Sequence, residues 1–216
     1  MRKTSSKKLK RPRQLGFEFR TWGGSRPGAG RRPKGGAPGV SHLKRPVLAA
    51  RFPVHVTLRV CPEVWSLRSR RSFRVIGAAL LAGAERFGLR LCEFSIQGNH
   101  VHLIVEAAGK DALARGMQGL CIRMAKGLNR MMGRTGRVFS DRYHAHILRT
   151  PTEVHRARSY VRDNHHKHSA ERGQPLPGAW VDPYSSVSRE HGIVLPAPHT
   201  WLLAKGTARA RLGPHE

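Results

Sequence analysis

An α+β fold, a ferredoxin-like or RRM-like antiparallel sheet with helices on one face, is the architecture this sequence predicts. Two observations carry it. Apolar and polar side chains alternate over Val54–Val60 and again on either side of Gly98-Asn99, with the period of half-buried strands. Between these runs lie stretches whose apolar residues recur with the period of amphipathic helices. Read in order, the elements are β, α, β, β, α, β, α, the ferredoxin-like order with one further helix.

Each element has its local reason. Val54, Val56, Leu58 and Val60 alternate with His55, Thr57 and Arg59, giving the first strand. Ser72 can cap a helix running to about Phe87, with Val75, Ile76, Ala79, Leu80 and Ala84 on one face and Gly88 as its stop. Leu89 to Gln97 reads as a strand, Gly98-Asn99 as a tight turn, and His100 to Glu106 as the returning strand. Leu113, Met117, Leu120, Met124 and Leu128 mark a helix from Lys110 to about Met132, closed by the turn Gly133-Arg-Thr-Gly136. A strand interrupted by polar residues follows from Val138 to about Arg149. Thr150, Pro151 and Glu153 then suit the start of a last helix that carries Val154, Ala157, Tyr160 and Val161 to about Asn164.

The expected organisation is a disordered basic arm over residues 1–50, a catalytic domain over 51–172, and a C-terminal tail or strap over 173–216. Lys, Arg, Gly and Pro dominate the arm, which has too few apolar side chains to offset the entropy of ordering it. Within it, Gly24 to Lys34, including Arg31 and Arg32, loosely resembles an AT-hook, although a solvated linker making nonspecific phosphate contacts has the same composition.

The whole chain of 216 residues has 40 Lys and Arg against 13 Asp and Glu, a formal charge of +27. A polyanionic partner explains such an excess, and nucleic acid is the first candidate. No membrane partner is expected, because Val75–Ala84, the longest nearly uncharged apolar run, is far too short to span a bilayer. Cys61, Cys92 and Cys121 are odd in number and contain no CxxC, which fits reduced thiols in a cytoplasmic, nucleoid-associated protein.

The segment richest in chemistry is Gly98-Asn-His-Val-His-Leu-Ile-Val105. Side chains alternate along a strand, so His100 and His102 share one face while Val101, Leu103 and Val105 anchor the other. Two neutral imidazoles at that spacing can grip one divalent cation through ring-nitrogen lone pairs. With 13 His in the chain, a structural or surface pair remains the alternative.

That segment resembles the histidine-hydrophobic-histidine (HUH) motif of IS200-like transposases. Gly136-Arg-Val-Phe-Ser-Asp-Arg-Tyr143 is similar to the strand after the second helix in the REP-associated branch, and Ser159-Tyr-Val-Arg-Asp-Asn164 resembles that family's Tyr-x-x-x-Asn helix. The resemblance covers about residues 52–170. It implies a HUH single-tyrosine endonuclease and strand transferase, with Tyr160 as nucleophile, His100, His102 and Asn164 as metal ligands, and Mg²⁺ or Mn²⁺ as cofactor. It also implies single-stranded, hairpin-forming DNA as partner, cut through a 5′-phosphotyrosine, in transposition or the processing of REP-like repeats, by a monomer or homodimer. Tyr160 and Asn164, at i and i+4, fall on one helix face and can be delivered together.

Arg31, Arg32, Lys126, Arg130, Arg137, Arg142 and Arg162 are candidate DNA contacts, the last five surrounding the motifs in sequence. His55 either faces the same site or is a partly exposed strand residue, the second being the favoured reading, and His144 and His146 are read as part of a wet, DNA-facing strand. The chain departs from the REP-associated pattern after Asn164, where His-His-Lys replaces Pro-Val, which leaves the end of that helix open. Two other readings stand beside this one: an RRM-like module that binds single-stranded nucleic acid without cutting it, and a domesticated relative of a transposase.

Overall fold

In a computed structural model describing residues 45–188 and 190–210, the sheet has five strands in the order β2-β3-β4-β1-β5. They are β1 (Val54–Arg59), β2 (Glu85–Arg86), β3 (Leu89–Ile96), β4 (His100–Ala107) and β5 (His144–Ile147), and every pairing is antiparallel. The helices are α1 (Arg70–Gly83), α2 (Lys110–Met132), α3 (Pro151–Glu171) and the short α4 (Trp201–Ala204). The basic arm, with Arg31 and Arg32, lies outside the described residues except for Arg45 to Ala50. No helix among the described residues is long and apolar enough to cross a membrane.

The expected α+β order is present. The valines and leucines of β1 and β4 point to one face, where Phe73, Ile76 and Leu80 of α1 and Met117, Leu120, Met124 and Leu128 of α2 cover them. Each such side chain contributes roughly 1.5–3 kcal/mol when fully buried, so this layer is the main source of stability. The further helix, α3, lies on the opposite face, where Val154, Ala157 and Val161 pack with Ile104, Cys92 and the α4 leucines Leu202 and Leu203. The sheet is therefore covered on both sides, and the residues between the core valines face α3.

Several boundaries differ from those expected. Helix α1 begins after Ser69, whose hydroxyl accepts from the Ser72 amide, and ends at Gly83 instead of Phe87. Glu85 and Arg86 pair with Arg90 and Leu89 across a two-residue turn in which Phe87 and Gly88 have φ of 57° and 74°. Positive φ at both central residues is a type I′ hairpin, whose twist matches the strands it joins. Residues 137–143 form a loop instead of strand, joined to the end of β1 by the Ser140 amide, which donates to the Arg59 carbonyl, and to the residue after it by the Val60–Phe139 bridge. Helix α3 runs on to Glu171, since His165-His166 supplies the backbone donors a proline would have removed.

Beyond Arg172 the chain acts as a strap. Tyr184 O accepts from the Ile96 amide, Phe94 O accepts from the Ser186 amide, and the Asp182 carboxylate, buried, takes both terminal nitrogens of Arg68 at 2.9 Å. Further on, buried Glu106 accepts from the His199 and Thr200 amides and the Thr200 hydroxyl.

Helix α2 sits so close to the sheet that a Cβ at Gly116 would stand 2.5 Å from Leu89 Cβ. Gly116→Ala is expected to lower stability by about 1–3 kcal/mol through overpacking, despite alanine's better helix propensity. Urea denaturation checks this, and an unchanged midpoint would contradict the close approach.

Candidate active site

The face of the sheet opposite α1 and α2 carries the histidines. Register places Arg59 across from His100, Thr57 across from His102, and His55 across from Ile104, so their side chains share that face. His102 is 3% exposed and His100 half-buried, their rings 4.7 Å apart. The strand thus presents both imidazoles together, with Val101, Leu103 and Val105 holding it from behind.

Helix α3 brings the tyrosine. Its start is fixed by a capping box, Thr150 accepting from the Glu153 amide while the Glu153 carboxylate takes the Thr150 amide, with Pro151 in the first turn. The apolar positions Val154, Ala157 and Val161 seat the helix on the sheet and leave Tyr160 at the edge of the contact, 42% exposed. The Tyr160 ring stands edge-on to His102 at 5.1 Å and to His55 at 5.9 Å. One and two helical steps of four further on are Asn164 and His168, and the His168 ring lies 6.3 Å from His100. Tyr160, Asn164 and His168 form one column along the helix. Because its two ends stand against His102 and His100, Asn164 between them faces the histidine pair.

On the other flank of α3, Arg158 and Arg162 both reach Glu93 Oε1, at 2.6 and 3.2 Å. A bulge in β3 between Leu91 and Glu93 makes this possible: the extra residue, Cys92, shifts the alternation so that Glu93 faces the helix instead of the α2 layer. Tyr160 on one flank and the arginine pair on the other straddle the apolar stripe, so the Glu93 contacts fix the roll of the helix. Arg158→Ala removes the nearer partner of a carboxylate 8% exposed. A loss of about 1–3 kcal/mol in urea unfolding is expected, reduced from the full cost of an orphaned buried charge because Arg162 remains.

Burial holds the three imidazoles neutral. His55 and His100 are pushed down to about 4 and His102 to about 3, in each case first by desolvation and then by repulsion that a positive ring would meet, from the His144 and His146 side for His55, from Arg59 for His100, and from the His100 and His55 rings for His102. The unfolded chain, with histidines near 6.5, binds more protons than the folded one below that pH. Stability is therefore whole above about pH 6.5 and is lost as pH falls from there toward 4, at up to about 1.4 kcal/mol per pH unit for His102 alone. Urea midpoints of metal-free protein should drop across that window, and a flat profile from pH 7 to 4.5 would contradict the burial of neutral rings.

Hydrogen bonding orients those rings. His100 Nδ1 lies 2.8 Å from Asn99 Oδ1, a carbonyl that accepts, so Nδ1 carries the proton and the Nε2 lone pair is left for another partner. His102 Nδ1 lies 3.1 Å from Thr57 Oγ1 and 3.2 Å from His55 Nε2, whereas His102 Nε2 is buried without a protein partner. Both amide atoms of Asn164, a residue only 2% exposed, are likewise buried and unpartnered. Orphaned buried polar atoms cost roughly 1–3 kcal/mol each, and a cation would satisfy two of these three. Among the described residues no three His, Cys, Asp or Glu form a cage. The residues that fit a divalent ion are His100, His102 and the Asn164 amide oxygen, with Asn99 and Thr57 behind the rings as the outer partners such ligands have.

The other expected DNA contacts are scattered. Lys126 and Arg130 are exposed on α2, across the sheet from the histidines. Arg137 folds back on the Phe139 and Ser140 carbonyls of its own loop. Arg162 is engaged by Glu93, and Arg142 stands just before β5. Thr57 joins the site without having been singled out in the sequence, and His55, for which the sequence left two readings, faces it. Their only signal was parity with His102 across a strand pair, and the pairing partner of β1 was not fixed by the sequence. His165 and His166 stack near Trp180, and His166 Nε2 donates to its carbonyl at 2.7 Å, a contact that ties α3 to the strap.

A ferredoxin-like sheet that offers paired histidines to a tyrosine on a covering helix is the arrangement that the resemblance to IS200-like transposases implies. Residues 63–164 match the family model described as transposase IS200 like. His55 and Thr57 lie before the matched segment. A solved REP-associated tyrosine transposase bound to a REP hairpin shares the fold at 15% identity, with a TM-score of 0.52 over 71% of this chain and 88% of that one. A provisionally assigned transposase from Deinococcus radiodurans is 14% identical, with a TM-score of 0.39 over 58% of this chain and 92% of that one. No curated protein matches the sequence.

Proposed function

We infer that this protein is a metal-dependent transposase or endonuclease of single-stranded DNA that cuts and rejoins strands through a 5′-phosphotyrosine at Tyr160. The observation that carries the reading is the meeting, within one chain, of the Tyr160 ring with His102 at 5.1 Å, beside a buried imidazole nitrogen and a buried amide that have no protein partner. The structural neighbour bound to a REP hairpin supports DNA as the substrate class. Hairpin-forming single strands are the substrate expected here.

His100, His102 and Asn164 would hold Mg²⁺ or Mn²⁺, which when bound draws charge from the scissile phosphate and from the departing oxygen. Mn²⁺ suits imidazole ligands better than Mg²⁺ does. Tyr160 gives up its phenolic proton and forms the bond from its oxygen to phosphorus, while the bond from phosphorus to the 3′ oxygen breaks and that oxygen takes a proton. The tyrosine ester keeps the energy of the phosphodiester. A second 3′-hydroxyl can then attack it and restore Tyr160, so strands are exchanged without a high-energy cofactor. Thr57 and His55 hold His102 in register, and the Glu93 contacts hold Tyr160 over it. Since one chain supplies every group, a monomer suffices for the chemistry.

Incubation with hairpin-bearing single-stranded DNA and Mn²⁺ tests this. A protein–DNA species that survives denaturation, labelled from the 5′-phosphate side of the break, is the expected product. Its absence with every single-stranded substrate, in the presence of binding, would favour a module that grips nucleic acid without cutting. That alternative is weaker on the structure's own terms: the α3-facing side chains of β3, β4 and β1 include Ser95, His102, Ile104, His55 and Thr57, with no Phe, Tyr or Trp on this face of the three strands, and the two imidazoles named are turned toward Tyr160.

A further inference from the structure

Exposure changes sharply across the histidine face of the sheet. His102, Ile104 and Glu106 on β4 are buried under α3 and the strap; His55 and Thr57 on β1 are half-buried; His144 and His146 on the edge strand β5 are exposed. Register sets His146 beside His55 and His144 beside Thr57, so these imidazoles continue the rows that begin at Ile104 and His102. Arg59, exposed, ends the same face of β1 next to His100. The result is a shelf over β1 and β5, bounded on its inner side by Tyr160.

The shelf is open because α3 is held elsewhere. Its arginines grip Glu93 on β3, and its apolar stripe sits on Ile104 of β4, so the side toward β3 is filled. A phosphate placed at the Tyr160 hydroxyl and His102 Nε2 has neighbouring nucleotides, and the uncovered direction for them is outward over β1 and β5.

We propose that the shelf formed by Arg59, Thr57, His144 and His146 is the seat of the unpaired nucleotides on one side of the cleaved phosphate. The proposal rests on the functional reading above and adds to it the surface over which the strand runs. Charge agrees with this occupant: neither 51–62 nor 142–152 contains an Asp or Glu, while the two stretches hold Arg51, Arg59, Arg142 and Arg149. The chemistry agrees as well. His144 and His146 project side by side, two residues apart on an exposed strand, and offer flat rings for bases; Arg59 offers a phosphate contact next to His100. Ring stacking tolerates any base, so the shelf would take single strands without reading sequence, whereas a duplex, its bases stacked inward, would gain only the phosphate contacts.

The test uses the full chain with two fluorescent probes of equal charge, a twenty-nucleotide oligo(dT) and the same backbone with abasic spacers. Wild type is expected to bind oligo(dT) more tightly than the spacer strand by about tenfold, the scale of one or two stacked bases. The double variant His144→Ala/His146→Ala should lose most of that preference while binding the spacer strand as before. Arg59→Gln should weaken both probes alike and lower the salt slope by about one phosphate contact. Photocrosslinking of 5-iodouracil oligonucleotides should map to the peptide 142–149. A double variant that keeps the preference, or crosslinks confined to other peptides, overturns the shelf. These readouts do not involve cleavage, so Tyr160→Phe should leave them intact. Failure of adduct formation alone would count against the chemistry of Tyr160 and leave the shelf standing, whereas a chain that binds neither probe sinks both.

Discussion

Tyr160→Phe is expected to abolish the covalent protein–DNA species, by about a thousandfold or more in rate, while single-stranded DNA binds with nearly wild-type affinity. The substitution removes one oxygen and leaves the ring that stands against His102 and His55, so packing on this flank of α3 changes little. The residue is 42% exposed and its hydroxyl is not among the buried unpartnered groups, so losing that oxygen should not unfold the site. The loss therefore reports on bond formation and not on the fold. The measurement is a denaturing gel of 5′-phosphate-side-labelled DNA with wild type and variant, beside a binding titration of each. An adduct persisting in the variant would move the nucleophile elsewhere. Tyr143 and Tyr184 are the remaining tyrosines, and neither is placed for the role. Tyr143 lies under the Arg45 guanidinium at 3.7 Å with its hydroxyl buried, and Tyr184 packs in the strap against Phe73 and beneath Arg68.

Much of this site was legible from residues alone, and the reason is periodicity. Strand parity put His100 and His102 on one face, and a four-residue step put Tyr160 and Asn164 on one side of a helix. Both relations are local, and both hold in the structure. What could not be read was long-range. The face that α3 would cover depends on the bulge at Cys92 and on Glu93 meeting Arg158 and Arg162, contacts between residues more than sixty positions apart. The pairing of β1 with both β4 and β5, which brings Thr57 and His55 to His102, is likewise set by the sheet and not by the strand. Arg162 shows the same limit from the other side: its ion pair with buried Glu93, a residue 69 positions away, carries no local signal. At α1 a local signal failed outright. Helical periodicity ran through Ala84 toward Phe87, but a two-residue turn through Phe87-Gly88 gave Glu85 and Arg86 partners on β3, and edge pairing won over one more helical turn.

His102→Ala should lower Mn²⁺ affinity by about a hundredfold or more, the larger effect among the proposed ligands. His102 is the more buried of the two histidines, its Nδ1 is held by Thr57 and His55, and its Nε2 has no protein partner, so it would enter the proposed coordination shell already aimed. His100, half-exposed and hydrogen-bonded to Asn99, gives up more freedom on binding and so contributes less net affinity, and His100→Ala is expected to cost less. Thr57→Val keeps the shape while deleting the oxygen beside Nδ1. It should cost about tenfold, as outer partners of metal-bound histidines do, and so separates orientation of the ring from ligation by it. Electron paramagnetic resonance of free Mn²⁺ during titration measures all three without any turnover. Equal affinities in wild type and His102→Ala would remove the cation from this face of the sheet. The buried Asn164 amide would then need another partner, and the proposed attack by Tyr160 another way to neutralise the phosphate.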